Sequence, residues 1–231
     1  MNDSEVNKQA YRNACSRSLY FFAKHALGYP DINRDTHGDI ISALEDDTQR
    51  KLIVVPRGTL KSTLACVAYP LWRLIKDANE RVLLDSEVYE NSKNFIREIK
   101  GKLESPMMTY LFGQSKSRTW NEGEIIIKQR TIGHKEASIT AGGVATTKVG
   151  QHYSIIISDD LNSPNNSNTP ENCRKVIDHY RYNISILEPH GTYVIVGTRY
   201  SELDIIGHVL KNELSINEAD AFTMSGKTIN I

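Results

Sequence analysis

Lys61 and Ser62 stand together behind the turn Pro56-Arg57-Gly58-Thr59-Leu60. An apolar run from Leu52 to Val55 precedes that turn, and an apolar helical pattern follows it. A Lys-Ser pair opening a helix after a strand and a turn can hold a nucleoside triphosphate. Backbone N–H groups wrap the phosphates, the ammonium reaches the β- and γ-phosphates, and the hydroxyl ligates Mg²⁺. Arg57, Gly58, Thr59, Leu60, Lys61, Ser62 and Thr63 are therefore the candidate contacts to ATP, with Ser62 a candidate metal ligand. The standard spacing G-x-x-x-x-G-K-[ST] asks for glycine where Val55 and Leu60 stand, so Gly58 is the one glycine of the loop. The competing reading is an ordinary strand-to-helix turn, with Lys61 and Ser62 as first-turn residues.

A second constellation lies about a hundred residues on. From His152 to Ser158 an apolar, β-branched run reads as a strand buried on both faces, and it ends in Asp159-Asp160. Carboxylates at the C-terminal end of a core strand face the sheet edge where α/β proteins put their ligands. Asp159 is the candidate for the Mg²⁺ shell. Asp160, one residue on, is the candidate to orient or deprotonate an attacking water. Asp is also common in plain turns and caps.

These groups need a sheet to hold them, and the rest of the chain supplies its rhythm. Arg81–Ser86 reads as a strand, Tyr89–Leu103 as a helix and Thr192–Thr198 as a core strand. Glu124–Lys128 and Ala137–Thr140 read as short strands, the first in a hairpin. Thr169–Ile186 reads as a helix with Thr169 as its cap before Pro170, and Leu203–Leu214 as another. Strands alternating with helices predict an α/β fold with a mainly parallel central sheet and helices on both faces. Strands between the phosphate loop and the acidic strand point to a P-loop NTPase of the additional-strand, RecA-like type.

Composition narrows the rest. A chain of 231 residues with 39% hydrophobic content can bury one full α/β core and little more. Lys plus Arg and Asp plus Glu number 28 each, so any contact to DNA has to be local. Cys15, Cys66 and Cys173 show neither metal-ligand spacing nor a disulfide pattern, which suits a reducing compartment. No apolar run approaches the length of a membrane span.

In four pieces and in the right order, the chain resembles the ATPase domain of the large terminase subunit, the DNA-packaging motor of tailed double-stranded DNA phages. The pieces are the loop Pro56-Arg57-Gly58-x-x-Lys61-Ser62-Thr63, the strand into Asp159-Asp160, Gly197-Thr198-Arg199-Tyr200 after a core strand, and Asp204 with Gly207 in the following helix. The resemblance covers about His37 to Leu210. It implies an ATP- and Mg²⁺-dependent hydrolase in which Thr198 belongs to the coupling motif that senses the γ-phosphate. It further implies double-stranded DNA, the small terminase subunit and the portal of the procapsid as partners, and self-association into a ring on the portal. The setting would be the cytoplasm of an infected bacterium, as a non-structural viral protein.

The chain departs from the family in three places. Many members carry Asp-Glu where this chain has Asp159-Asp160. Where members place an arginine before the acidic strand to act on a neighbour's nucleotide, the nearest basic residue here is Lys148. That lysine is either such a finger or a solvated loop residue, and Arg57 is a second candidate for charge stabilisation or a surface arginine paired to a local acid. Large terminases also continue into a nuclease domain, whereas only a short polar tail follows Leu214. The expected division is a helical segment over residues 1–36 flanking the adenine pocket, an ATPase core over 37–214, and a tail or linker over 215–231 leading to a nuclease domain.

Contacts to the base and to DNA are less legible. Phe21, Phe22, Tyr29 and His37 are either adenine-pocket residues or core. Lys93, Arg97 and Lys100 share a helical face, and Lys116 and Arg118 read as a basic loop beside Trp120. Each group is a candidate phosphate contact or a solvated surface. Asp85, Glu87 and Glu90 read as a strand end running into a solvated helix start. Two other classes stay open on sequence: a fragment of another helicase-type motor, and a nucleotide-binding module that does not hydrolyse.

Overall fold

The computed structural model describes residues 3–146, 149–214 and 229–230. Helix α1 (Asp3–Arg17), a short turn α2 (Leu19–Phe21) continuing as a π-helical segment (Phe22–Ala26), and α3 (Arg34–Glu45) precede strand β1 (Arg50–Val54). The helix after β1 opens at Lys61, is π-helical over Thr63–Ala68 and continues as α4 (Tyr69–Lys76). Then come β2 (Val82–Ser86), α5 (Tyr89–Leu103), α6 (Pro106–Phe112), β3 (Lys116–Trp120), β4 (Glu124–Ile127) and β5 (Ile139–Ala141). The described chain finishes with β6 (Tyr153–Asp159), α7 (Pro170–Ser185), β7 (Leu187–Gly197), α8 (Ile205–Asn212) and β8 (Ile229–Asn230).

The strands form one sheet in the order β3-β4-β5-β2-β6-β7-β1-β8. The five central strands, from β5 to β1, are parallel, while β3, β4 and β8 pair antiparallel at the two edges. Strand β7 lies between β1, which carries the phosphate-loop sequence, and β6, which carries the acids. That inserted strand is the additional strand of the RecA-like fold, and it follows both motifs in the chain. The strands between them in sequence, β2 to β5, lie on the far side of β6.

Side chains alternate across a strand, so each central strand feeds two cores. Ile53, Val82, Leu84, Ile155, Ile157, Val194 and Val196 point to one face, where α1 to α5 and the π-helical segments pack. Leu52, Leu83, Ile156, Tyr193 and Ile195 point to the other, under α7 and α8. The same parity assigns the polar residues at the strand ends. Asp159 falls on the face of Ile155 and Ile157, towards the Lys61-Ser62 helix, while Ser158 and Asp85 face α7.

Several elements differ from the sequence reading. Lys116 and Arg118 lie on strand β3, antiparallel to β4, so the expected basic loop is the outer arm of the expected hairpin. Strand β7 starts at Leu187, earlier than Thr192, because the pairing shifts register between Tyr153 and Ile155 and so takes in Pro189 and Gly191. Helix α8 starts at Ile205, since the Asp204 side chain accepts the Gly207 N–H at 2.9 Å and so caps it. Thr169 caps α7 as its sequence suggested. Among the described residues no helix is long and apolar enough to cross a membrane.

Candidate nucleotide-binding site

In-register pairing brings the strand ends to one edge. Val54 of β1 is level with Gly197 of β7, and Val196 is level with Asp159 of β6. The phosphate loop, Thr198 and the two aspartates therefore leave the sheet side by side. Sequence separation of more than a hundred residues is closed by parallel strand pairing alone.

The loop has the backbone of an anion cradle. Gly58 sits at φ +83°, and Leu60, where the standard motif has glycine, also adopts a left-handed conformation at φ 51°. A left-handed leucine costs on the order of 1–2 kcal/mol, so the surrounding loop must impose it. The Thr59 hydroxyl donates to the Pro56 carbonyl at 2.9 Å, and the Leu64 N–H donates to the Leu60 carbonyl at 2.9 Å, closing the loop onto the helix start. The π-helical turn beginning at Thr63 follows at once, a widening often found at functional sites. Asp160 at φ 42° is the other non-glycine residue with positive φ among those described. Both left-handed side-chain-bearing residues thus flank one site.

The side chains converge on that cradle. Lys61 is buried, and its Nζ donates to Thr198 Oγ1 at 2.7 Å, with Asp160 Oδ1 at 3.9 Å. Ser62 Oγ donates to Asp159 Oδ1 at 2.9 Å. The Thr198 N–H donates to Asp160 Oδ1 at 3.0 Å. Arg57 stands over the Tyr200 ring, 5.9 Å from its centroid, and donates to the Tyr200 hydroxyl, so it pairs with an aromatic of the Gly-Thr-Arg-Tyr segment. Of the residues named from sequence, the structure brings together Arg57 to Thr63, Asp159, Asp160 and Thr198. Lys148 lies outside the described residues.

Charge in this site is unbalanced. Asp159 is only 6% exposed, and burial, with the Asp160 carboxylate beside it, pushes its carboxyl up to about 7; the Ser62 and Lys61 contacts offset this only in part. Ser62 Oγ and the Asp159 carboxylate, 2.9 Å apart, are the oxygens here that could ligate a divalent cation. A pH dependence follows. The unfolded carboxyl ionises near its ordinary value of 3.8 while the folded one keeps its proton to about 7, so its contribution to stability falls as pH rises between those values. Metal-free protein should thus lose melting temperature between pH 5 and pH 8, Asp159→Asn should flatten that slope, and millimolar Mg²⁺ should restore the wild type at pH 8. Thermal melts with chelator and with Mg²⁺ check this. A slope unchanged by the substitution would remove Asp159 as its cause.

The other candidates sort out by burial and partner. Phe22 is fully buried in the core, Phe21 packs edge-on against Tyr11, Tyr29 donates to Glu98 Oε1 at 2.5 Å, and the buried His37 bonds with Asn33 at the start of α3. Lys93 pairs with Glu90 and Glu122, Lys100 donates to the Trp120 carbonyl at 3.3 Å, and Arg97 bonds with Asn94. Asp85 lies at the end of strand β2 as its sequence suggested, with Glu90 exposed at the helix start beyond it, but Asp85 itself is held by partners the sequence did not show. It is buried, and its Oδ2 bonds with His179 Nε2 at 2.7 Å and with Asn183 Nδ2 at 2.8 Å. Ser158 and Tyr193, bonded to each other at 2.8 Å, extend this polar cluster between the sheet and α7. Sequence reasoning also passed over Asn162, which is 3% exposed and accepts the Ile205 N–H at 2.9 Å.

No protein-family model matches the sequence, and no curated protein matches it. Among solved structures, the chain is similar to S. cerevisiae Dbp5 L327V, determined bound to Nup159, Gle1 H337R, IP6 and ADP. The TM-score is 0.52 at 12% identity, over 84% of this chain and 48% of that one. The chain thus spans about half the length of that structure. The likeness is one of fold, and with the strand order it shows a RecA-like P-loop α/β architecture.

Proposed function

We propose that this chain is a Mg²⁺-dependent ATPase, the motor domain of a phage large terminase subunit that drives double-stranded DNA into the procapsid. The observation that carries the ATPase reading is the meeting of Lys61, Ser62, Asp159, Asp160 and Thr198 at one sheet edge beside a left-handed phosphate loop. The terminase reading rests on the four sequence pieces, of which Gly197-Thr198-Arg199-Tyr200 is the most discriminating.

In this proposal the backbone N–H groups from Gly58 to Ser62 take the β- and γ-phosphates. Lys61 exchanges its bond to Thr198 for the phosphate oxygens, which frees the Thr198 hydroxyl to report the γ-phosphate. Asp160, fixed through Oδ1 by the Thr198 N–H, offers its other oxygen to the attacking water and accepts its proton. Ser62 and Asp159 would hold Mg²⁺, which when bound would supply positive charge beside the phosphates. Arg57, on leaving Tyr200, supplies positive charge in cis, and Lys148 supplies it to a neighbour in the assembled ring. The small terminase subunit, the portal and a C-terminal nuclease domain complete the working machine in the infected cell's cytoplasm. Residues 1–36 serve as adenine-flanking segment and 37–214 as core; of the expected tail or linker over 215–231, Ile229–Asn230 instead pair with β1 at the sheet edge, because their extended backbone completes the hydrogen bonds of that strand.

A helicase-type motor is the second reading, favoured by the fold neighbour. ATP turnover in the presence of linear double-stranded DNA, single-stranded DNA or single-stranded RNA separates the two. The terminase reading predicts stimulation of severalfold or more by the duplex alone. Stimulation by RNA or single strands, with none by duplex, would replace it with the helicase reading.

A further inference from the structure

From Asn162 to Asn168 the sequence is rich in asparagine and serine and reads as a loop-like stretch of low complexity. In the structure its start is a built clasp. Asn162 is buried; its Oδ1 accepts the N–H of Ile205, the first residue of α8, and its Nδ2 donates to Asn166 Oδ1 at 3.3 Å. Asn166 in turn accepts the Ser163 N–H at 2.8 Å and donates to the Leu161 carbonyl at 2.8 Å. The two residues that follow Asp160 are thus both fixed, Leu161 by Asn166 and Asn162 by its bonds to Asn166 and Ile205.

The position of α8 gives that clasp its meaning. Its cap, Asp204, is fully buried, and Oδ2 accepts the N–H groups of Tyr200 at 2.8 Å and Ser201 at 3.1 Å. Those residues end the segment that begins with Thr198. A closed ring results: Asp160 to Thr198 through the 3.0 Å bond, along the chain to Tyr200 and Ser201, to Asp204, to Ile205, to Asn162, and back along two residues to Asp160. Asp160 is meanwhile held in a left-handed conformation, which a non-glycine residue keeps only where its surroundings over-determine it. Within the ring, its amide donates to the Val196 carbonyl at 2.9 Å on one side, and Asn162 fixes the exit on the other.

We infer that Asn162 is a positioning residue for ATP hydrolysis, closing the ring that fixes the Asp160 carboxylate relative to the Thr198 hydroxyl. The inference rests on the proposed ATPase reading of the same site. A carboxylate that must meet a water beside the γ-phosphate loses rate steeply with small displacements, whereas the backbone N–H groups of the Lys61 loop, which the proposal assigns to the phosphates, lie outside this ring.

The experiment compares steady-state ATP hydrolysis of the full chain as wild type, Asn162→Ser and Asn162→Asp, with melting curves of each. Serine is too short to reach the Ile205 N–H, while aspartate keeps the acceptor. Asn162→Ser should lower kcat about 10-fold or more with KM for MgATP within about threefold, and Asn162→Asp should recover most of the loss. In an Asp160→Asn background, Asn162→Ser should cost little further, because the residue acts through Asp160. Equal losses in the serine and aspartate variants, a kcat unchanged in Asn162→Ser, or full additivity with Asp160→Asn would each overturn the inference. A wild type without turnover would instead overturn the ATPase reading itself, so the two failures are distinguishable.

Discussion

Asp160→Asn is expected to lose about 10²-fold or more in ATP turnover while keeping Mg²⁺-ATP affinity within a few fold, as removal of a general base commonly does. The substitution is a clean one in this fold. The amide oxygen can still accept the Thr198 N–H that Asp160 Oδ1 now holds at 3.0 Å, and asparagine tolerates the left-handed backbone at φ 42° nearly as well as aspartate. Geometry is preserved and only the proton acceptor goes. The measurement is kcat alongside affinity for a non-hydrolysable ATP analogue by calorimetry. Wild-type turnover in Asp160→Asn would pass the base role to another carboxylate at the edge, and a parallel collapse of affinity would make Asp160 a binding residue.

Lys61→Ala is expected to weaken ATP binding by about 10²-fold or more with little change in melting temperature. The Lys61 ammonium is buried with one short bond, to Thr198, and with Asp160 Oδ1 at 3.9 Å rather than in a tight ion pair. It is therefore poised to exchange partners, and the phosphates would be the stronger ones. Its removal relieves the buried cation of its desolvation cost while it deprives Asp160 of a distant partner, and these effects oppose each other. Unchanged analogue affinity in the variant would sink the phosphate-loop assignment.

Much of the frame was legible because its signals are periodic. The all-apolar run into Asp159 announced a strand buried on both faces, and strand parity then placed Asp159, two residues on from Ile157, over the phosphate-loop helix. Helix α5 and the Thr169 cap of α7 followed from spacing and cap chemistry in the same way. Leu60 was harder. Its sequence lacks the glycine that flags a left-handed position, and only the backbone reveals that leucine adopts it. The Asp85–His179–Asn183 cluster and the Asn162 clasp had no signature at all. Each joins residues about 40 to 100 positions apart through single hydrogen bonds, and a polar residue in a strand end or an asparagine in a loop reads the same whether it is solvated or buried against a partner. Arg57 shows the same limit: its partner, Tyr200, is an aromatic 143 positions away rather than a nearby acid.

The most direct test of the central claim is phosphate release from ATP by the wild-type chain, measured with Mg²⁺ and with chelator. Hydrolysis that requires Mg²⁺ and disappears in Lys61→Ala is the predicted result. Binding of ATP without turnover under any condition would reduce the site to a nucleotide-binding module, and absence of both binding and turnover would contradict the reading of Lys61, Ser62, Asp159, Asp160 and Thr198 as one catalytic site.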